Sequence, residues 1–259
     1  MPPVSPHRPA PARAATSIAV LTEETTQPQS AALAQELNLP LAAESDSTYD
    51  LVLAWTDAGL ELRDHRDPRL NPLRVDFVTA DFRRYSAGLS RRQPLARAIG
   101  KTPLVVDATA GLAQDAFRLA LMGYRVTAIE RSPAVAALVR DGLRRLNATA
   151  HALGDRLQLL AGDARALLPG LTPRPDVVYL DPMFPSKRNT SAAVRKELKW
   201  LRDLVGEDPD ALELFEAARR AATNRVVVKR PDHAPPLVPN PVASIAGKLV
   251  RYDIYSTRI

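Results

Sequence analysis

The sequence predicts an α/β chain: an open, mostly parallel sheet covered by helices, ending in an antiparallel hairpin and preceded by a small α/β unit. Three observations predict it. From about residue 90, short runs rich in β-branched residues alternate with stretches of helical spacing, the pattern of parallel strands joined by crossover helices. A proline- and alanine-rich opening leads into a separate strand, helix, strand, strand pattern. Four successive apolar runs of the regular part end in acids, as "VVD", "AIE", "AGD" and "YLD".

The element order follows from local signals. Residues 1–15 read as a disordered tail. Residues 16–75 form the small unit: "SIAVLT" as a strand, "QSAALAQELN" as a helix, and "DLVLAWTDAGLELRD" as two strands around Asp57, Ala58 and Gly59. The prolines of "RDPRLNPLR" make it a connector to the main domain, residues 76–259. There, "TPLVVDAT" is a strand, "LAQDAFRLALMG" a helix stopping at Gly123, and "YRVTAIE" a second strand. "SPAVAALVRDGLRRL" is a helix with Ser132 as N-cap and Pro133 at its first position. "RLQLLAGD" and "PDVVYLD" are the third and fourth strands. "SAAVRKELKWLRDLV" and "DPDALELFEAARRAAT" are helices, "NRVVVKR" is a fifth strand, and "ASIAGKLVRYDIYST" is a hairpin turning near Gly247 and Lys248.

Composition narrows the class. The 259 residues, 46% hydrophobic and 25% charged, suffice for one sizeable domain and a small extra one. Cysteine is absent, which excludes disulfides and thiolate metal sites. His7, His65, His151 and His233 are scattered without metal-ligand spacing, so no metal is expected. Trp55 and Trp200 read as packing residues. No run approaches the roughly 18 apolar residues of a membrane span, and "MPPVSPHRPAPARAATS" lacks the apolar core of a signal peptide. A cytoplasmic protein without a membrane partner is expected.

With 35 Lys+Arg against 29 Asp+Glu, the net charge of +6 suits either a solvated surface or a polyanionic partner. Clustering favours the partner: Arg83, Arg84, Arg91, Arg92 and Arg97 share one segment, and Lys187, Arg188, Arg195, Lys196 and Lys199 share another.

Parallel sheets bind ligands outside the carboxyl ends of their strands, where the acids fall. Asp107 is followed by "ATAGLAQDAF", small residues that let a ligand approach the backbone, although a tight strand-to-helix turn has the same composition. Gly111 is the lone glycine of that turn, which argues against a dinucleotide-binding oxidoreductase. Glu130 has the position of a carboxylate that accepts from ribose hydroxyls. Asp163 closes the third strand within reach of an adenine amino group, and Asp181 closes the fourth. Together they describe a pocket for a positively charged nucleoside.

"DATAGLAQDAF", "IERSPAVAALVRDGL", "VVYLDPMFPSK" and "RVVVKRPDHAPPL", in this order, resemble the class I S-adenosylmethionine-dependent methyltransferases, and more closely the ribosomal small subunit methyltransferase J family. The resemblance runs from about Asp76 to the C-terminus and more loosely over the N-terminal unit. It implies a Rossmann-like sheet and transfer of a methyl group to the exocyclic N2 of a guanosine in 16S rRNA. It also implies S-adenosylmethionine contacts at Gln114, Asp115, Glu130, Arg131, Asp163, Ala164 and Asp181, to which the turn after the first strand adds Asp107 and Gly111 as expected cofactor-binding residues. The family usually has a second glycine where this chain has Ala113, which adds a methyl group beside the cofactor.

The loop "DPMFP" then acquires a purpose. A guanine N2 is a poor nucleophile and must be held in line, so positioning is the main catalytic resource. Asp181 and the carbonyl of Pro182 accept from the amino group, and Phe184 stacks on an unstacked or flipped base. Lys187, Arg188, Lys229 and Arg230 are expected to flank one face and contact phosphates. The partner is 16S rRNA or the small ribosomal subunit, met by a monomer. The readings that compete are an N6-adenine methyltransferase, an NAD-dependent oxidoreductase and a catalytically idle RNA-binding protein.

Overall fold

The computed structural model describes residues 16–78, 89–182 and 209–257. The tail expected over 1–15, Arg83 and Arg84, and the helix expected over 191–205 lie outside these residues, as do Phe184, Lys187, Arg188, Arg195, Lys196, Lys199 and Trp200.

The smaller sheet holds β1 (Ile18–Leu21), β2 (Leu41–Ala42), β3 (Leu51–Thr56) and β4 (Gly59–Asp64), in the order β2-β1-β3-β4. β1 is parallel to both neighbours, and β3 and β4 form the expected hairpin. Helix α1 (Gln27–Leu37) carries the chain from β1 to β2 and stops at Asn38, whose left-handed backbone turns its N–H back to the carbonyls of Ala34 and Gln35.

The larger sheet contains β5 (Leu104–Asp107), β6 (Arg125–Glu130), β7 (Leu157–Ala161), β8 (Val177–Leu180), β9 (Arg225–Pro231), β10 (Ala243–Ala246) and β11 (Val250–Ser256). Their order is β10-β11-β9-β8-β5-β6-β7. All neighbours are parallel except β11, which runs against both β9 and β10. The mostly parallel sheet with an antiparallel C-terminal hairpin is thus present. Along β8, Val177 and Tyr179 enter one apolar cluster while Val178 and Leu180 enter another, so the strand is covered on both faces. From β5 the chain proceeds to β6 and β7, then returns to β8 on the other side. This reversal opens a crevice outside the carboxyl ends of β5 and β8.

The helices around this sheet are α2 (Pro94–Ile99), α3 (Gln114–Leu121), α4 (Pro133–Asn147), α5 (Ala164–Leu167) and α6 (Ala211–Ala221). α4 begins as its sequence dictates: the Ser132 side chain accepts from the N–H of Val135, and Pro133 fills the first position. Its buried residues Val135, Leu138, Val139 and Leu146 belong to the same apolar cluster as Val20, Leu53 and Leu62 of the smaller sheet. At Gly142 an added Cβ would lie 2.8 Å from the Val75 carbonyl oxygen, so glycine is what allows the helix and that segment to touch.

A buried acid fastens the same contact. Asp141 is 3% exposed, and its Oδ2 accepts from the Leu60 N–H at 3.0 Å and from Arg145 Nε at 2.8 Å, while Oδ1 accepts from Arg144. Burial works to raise its pKa, but the bonds from Arg145 and Arg144 hold it below the usual carboxylate value. Replacing Asp141 with alanine leaves the Leu60 N–H without its buried acceptor. The expected cost is about 3 kcal/mol of unfolding free energy, read from a urea titration; a midpoint equal to that of the parent contradicts the role given to this contact.

Candidate active site

The crevice is built from strand ends. Asp107, the last residue of β5, is 2% exposed, and its Oδ1 accepts from the Thr109 N–H at 3.2 Å. Burial, reinforced by the negative charge of Asp115, pushes its carboxyl well above the usual range. The turn that follows places Gly111 at φ +53° with open space where a side chain would project. The Gly111 N–H donates to Glu130 Oε2 at 2.8 Å, and the Ser132 N–H donates to Glu130 Oε1 at 2.7 Å. Glu130 is therefore buried and draws the β5 and β6 ends together.

Ala113 adopts φ 56° and ψ 26°, the left-handed conformation that favours glycine, immediately before α3. Its methyl group is fully buried within the core cluster, which corrects the expectation that it projects beside the cofactor. Gln114 is exposed at the helix start, and Asp115 points inward from the first turn.

Asp115 and Asp181 meet at one cation. Lys229 Nζ donates to Asp115 Oδ2 at 2.9 Å and to Asp181 Oδ2 at 2.8 Å. The Tyr179 hydroxyl donates to the same Asp115 oxygen at 2.8 Å, and the Asp181 N–H donates to Thr109 Oγ1 at 2.6 Å. Burial alone would raise Asp115, but the Lys229 charge and hydrogen bond, helped by Tyr179, hold it below its usual value. Burial likewise opposes the Lys229 ammonium, yet Asp181 and Asp115 together lift its pKa above the ordinary lysine value. Tyr252, beside Lys229 across the β9–β11 ladder, is pushed up to about 12 by burial and by Asp115. Asp115 and Tyr252 also wall a cleft of about 480 Å³ bounded by Gln93, Arg118 and Lys248.

These placements revise the sequence reading of β9. Lys229 and Arg230 cannot flank one phosphate-binding face, because successive strand residues point to opposite sides of a sheet. Lys229 turns into the carboxylate cluster. Arg230 is 5% exposed on the other side, with Nε donating to the Pro235 carbonyl at 2.9 Å. Thr109, Tyr179 and Tyr252 escaped the sequence reading, although the alternation of "VVYLD" already puts Tyr179 on the face opposite Val178 and Leu180.

The far end of the crevice is a second charged network. Asp163 caps α5 by accepting from the Arg165 N–H at 2.8 Å, and the Arg165 guanidinium also grips its carboxylate. The Arg165 hydrogen bond holds Asp163 below the usual carboxylate value. Asp210 receives both Arg131 and Arg165, and Ala164 is buried behind them. Among the described residues no group of three or more histidines and acids is placed to hold a metal ion, and no helix is long and apolar enough to cross a membrane.

Asp107 gives a pH signature. Its folded pKa is raised, so its contribution to stability is fully present below the unfolded value, near 4, and is lost as pH rises through the folded value. Asp107→Asn keeps the acceptor for the Thr109 N–H and removes the titration. The variant should gain melting temperature over the parent as pH rises from 5 to 8, by about 2–4 °C per kcal/mol; parallel melting curves across that range contradict the assignment.

Known proteins match this chain along most of its length. The SAM-dependent methyltransferase family model matches residues 32–257. The ribosomal RNA small subunit methyltransferase J of Thioalkalivibrio sulfidiphilus is 49% identical over 236 residues, 87% of this chain and 92% of that protein. The Salmonella typhi protein of the same name is 48% identical over 225 residues, 82% of this chain and 88% of its own. A crystal structure of a SAM-dependent methyltransferase from Neisseria gonorrhoeae superposes with a TM-score of 0.70 at 30% identity, covering 93% of this chain and 96% of that one. With the strand order and the acid-lined crevice, these matches establish that the chain belongs to the ribosomal RNA small subunit methyltransferase J family of S-adenosylmethionine-dependent methyltransferases.

Proposed function

We propose that the protein methylates the exocyclic N2 of a guanosine in 16S rRNA, as a cytoplasmic monomer acting on the RNA or the small subunit. The observation that carries the reading is Asp181: it closes β8 at the reversal of strand order, its side chain is 40% exposed, and Pro182 follows at once.

The crevice fits the cofactor of the family. Gly111 leaves room for close approach of a ligand to the backbone, Glu130 stands at the β6 end where a ribose is met, and the carboxylates of Asp115 and Asp181 suit a positively charged sulfonium. Bound S-adenosylmethionine supplies an electrophilic methyl group. The chain's own residues hold the acceptor. Asp181 and the Pro182 carbonyl receive the two amino hydrogens, which directs the nitrogen lone pair toward the incoming carbon. Phe184 stacks on the base, and Lys187 and Arg188 meet phosphates. With the product nitrogen acidic, its proton passes to Asp181 or to water.

Incubating the protein with undermethylated small subunits and labelled cofactor should yield N2-methylguanosine on nucleoside analysis. N6-methyladenosine instead would move the target to adenine, and unlabelled rRNA would remove the proposal. Asp181→Ala should lower turnover by about a hundredfold or more while the melting temperature stays near that of the parent; full activity refutes its role. Phe184→Ala should cost about 1–3 kcal/mol in kcat/KM for RNA with cofactor affinity unchanged, and equal loss of both contradicts stacking.

A further inference from the structure

We infer that Lys229 is a positioning residue for methyl transfer: one ammonium, shared between Asp115 and Asp181, fixes the orientation and the ionised state of the carboxylate that receives the target amino group. The inference rests on the role proposed for Asp181.

The geometry is specific. Residue 181 directly follows β8 and residue 229 lies on β9, and the register pairs Leu180 with Val228, so the two positions are neighbours across a parallel ladder. Asp115 arrives from α3, above β5. Three separate elements thus converge on one nitrogen, at 2.8 and 2.9 Å, with the lysine side chain 23% exposed and Asp115 13% exposed. The Tyr179 hydroxyl supplies a second donor to Asp115, and Thr109 anchors the Asp181 backbone. What remains adjustable is the Asp181 carboxylate itself, and Lys229 holds its Oδ2 at 2.8 Å.

The charges around this point make a cation necessary. Asp107 and Tyr179 face it from β5 and β8, Asp115 and Arg118 from α3, and Tyr252 from β11. Arg118 is directed at Asp115 Oδ1. Without Lys229, the Asp115 and Asp181 carboxylates, which now touch the same atom, would confront each other. Like charges so placed cannot both stay ionised near neutral pH, and one takes up a proton. A protonated Asp181 presents a hydroxyl where an acceptor is needed. Lys229 also offsets one of two negative charges beside the site of the sulfonium, which sets how strongly the pocket favours charged S-adenosylmethionine over neutral S-adenosylhomocysteine.

The test compares the parent, Lys229→Met, Lys229→Gln and Asp181→Asn, with the glutamine variant guarding against a methionine variant that fails to fold. In each folded lysine variant, kcat should fall on the order of tenfold to a hundredfold, with KM for RNA little changed. An acid limb absent from the parent should appear in kcat between pH 6 and 8. Calorimetry at pH 8.5 should show the affinity ratio of S-adenosylmethionine to S-adenosylhomocysteine shifted toward the charged ligand, about tenfold. A purely structural lysine would lower the melting temperature and leave the limb and the ratio where they are. Parent-like kcat, pH profile and ligand ratio in a folded lysine variant, with Asp181→Asn inactive, overturn the inference alone. Full activity of Asp181→Asn overturns the role of Asp181 beneath it.

Discussion

Like charges brought together by sheet topology are the constraint on which this structure turns. Where strand order reverses, the ends of β5 and β8 stand side by side, with Asp107 closing the first and Asp181 directly following the second. α3 adds a third, Asp115. Burial and repulsion are resolved in two ways: Asp107 holds its proton far more tightly than an ordinary carboxylic acid, and Lys229 joins Asp115 to Asp181. The Tyr179 hydroxyl, donating to Asp115, and the Thr109 side chain, accepting from the Asp181 N–H, complete a rigid arrangement around the Asp181 carboxylate. Such preorganisation is what a weak nucleophile requires, because little of its barrier yields to acid or base strength and much of it yields to alignment.

The second constraint is mechanical. The smaller sheet is joined to the larger one through α4, whose first turn closely follows Glu130 at the end of β6. Ser132 both caps that helix and donates its N–H to Glu130, while Gly142 and Asp141 dock the helix against Val75 and Leu60. The helix that fixes the Glu130 carboxylate at the end of β6 is thus the helix that anchors the smaller sheet.

Much of this was legible in the sequence, and the exceptions have physical causes. Strands such as "VVD" and "VVYLD" announce themselves through β-branched density, and α4 through its cap and proline, because these signals are local. The strand-end acids were legible for the same reason. Lys229 was visible as a residue but not as a partner: its role depends on β9 lying next to β8, a pairing between residues far apart in the chain, and on which side of the strand it faces. The alternation of "VVVKRP" separates Lys229 from Arg230 once that neighbour is known. α2 and β2 went unread because six and two residues are too few to establish a period. Ala113 was legible only as a departure from the family's glycine; its backbone conformation explains the glycine, and its burial shows why alanine is accommodated.

The most direct test of the central claim is a crystal structure of the protein with S-adenosylhomocysteine and a guanosine-containing RNA fragment. The account predicts the guanine amino nitrogen within hydrogen-bonding distance of the Asp181 carboxylate, with Lys229 still bridging that carboxylate to Asp115. A base seated with its amino group directed away from Asp181, or an Asp181 carboxylate swung out of contact with both the base and Lys229, would contradict it.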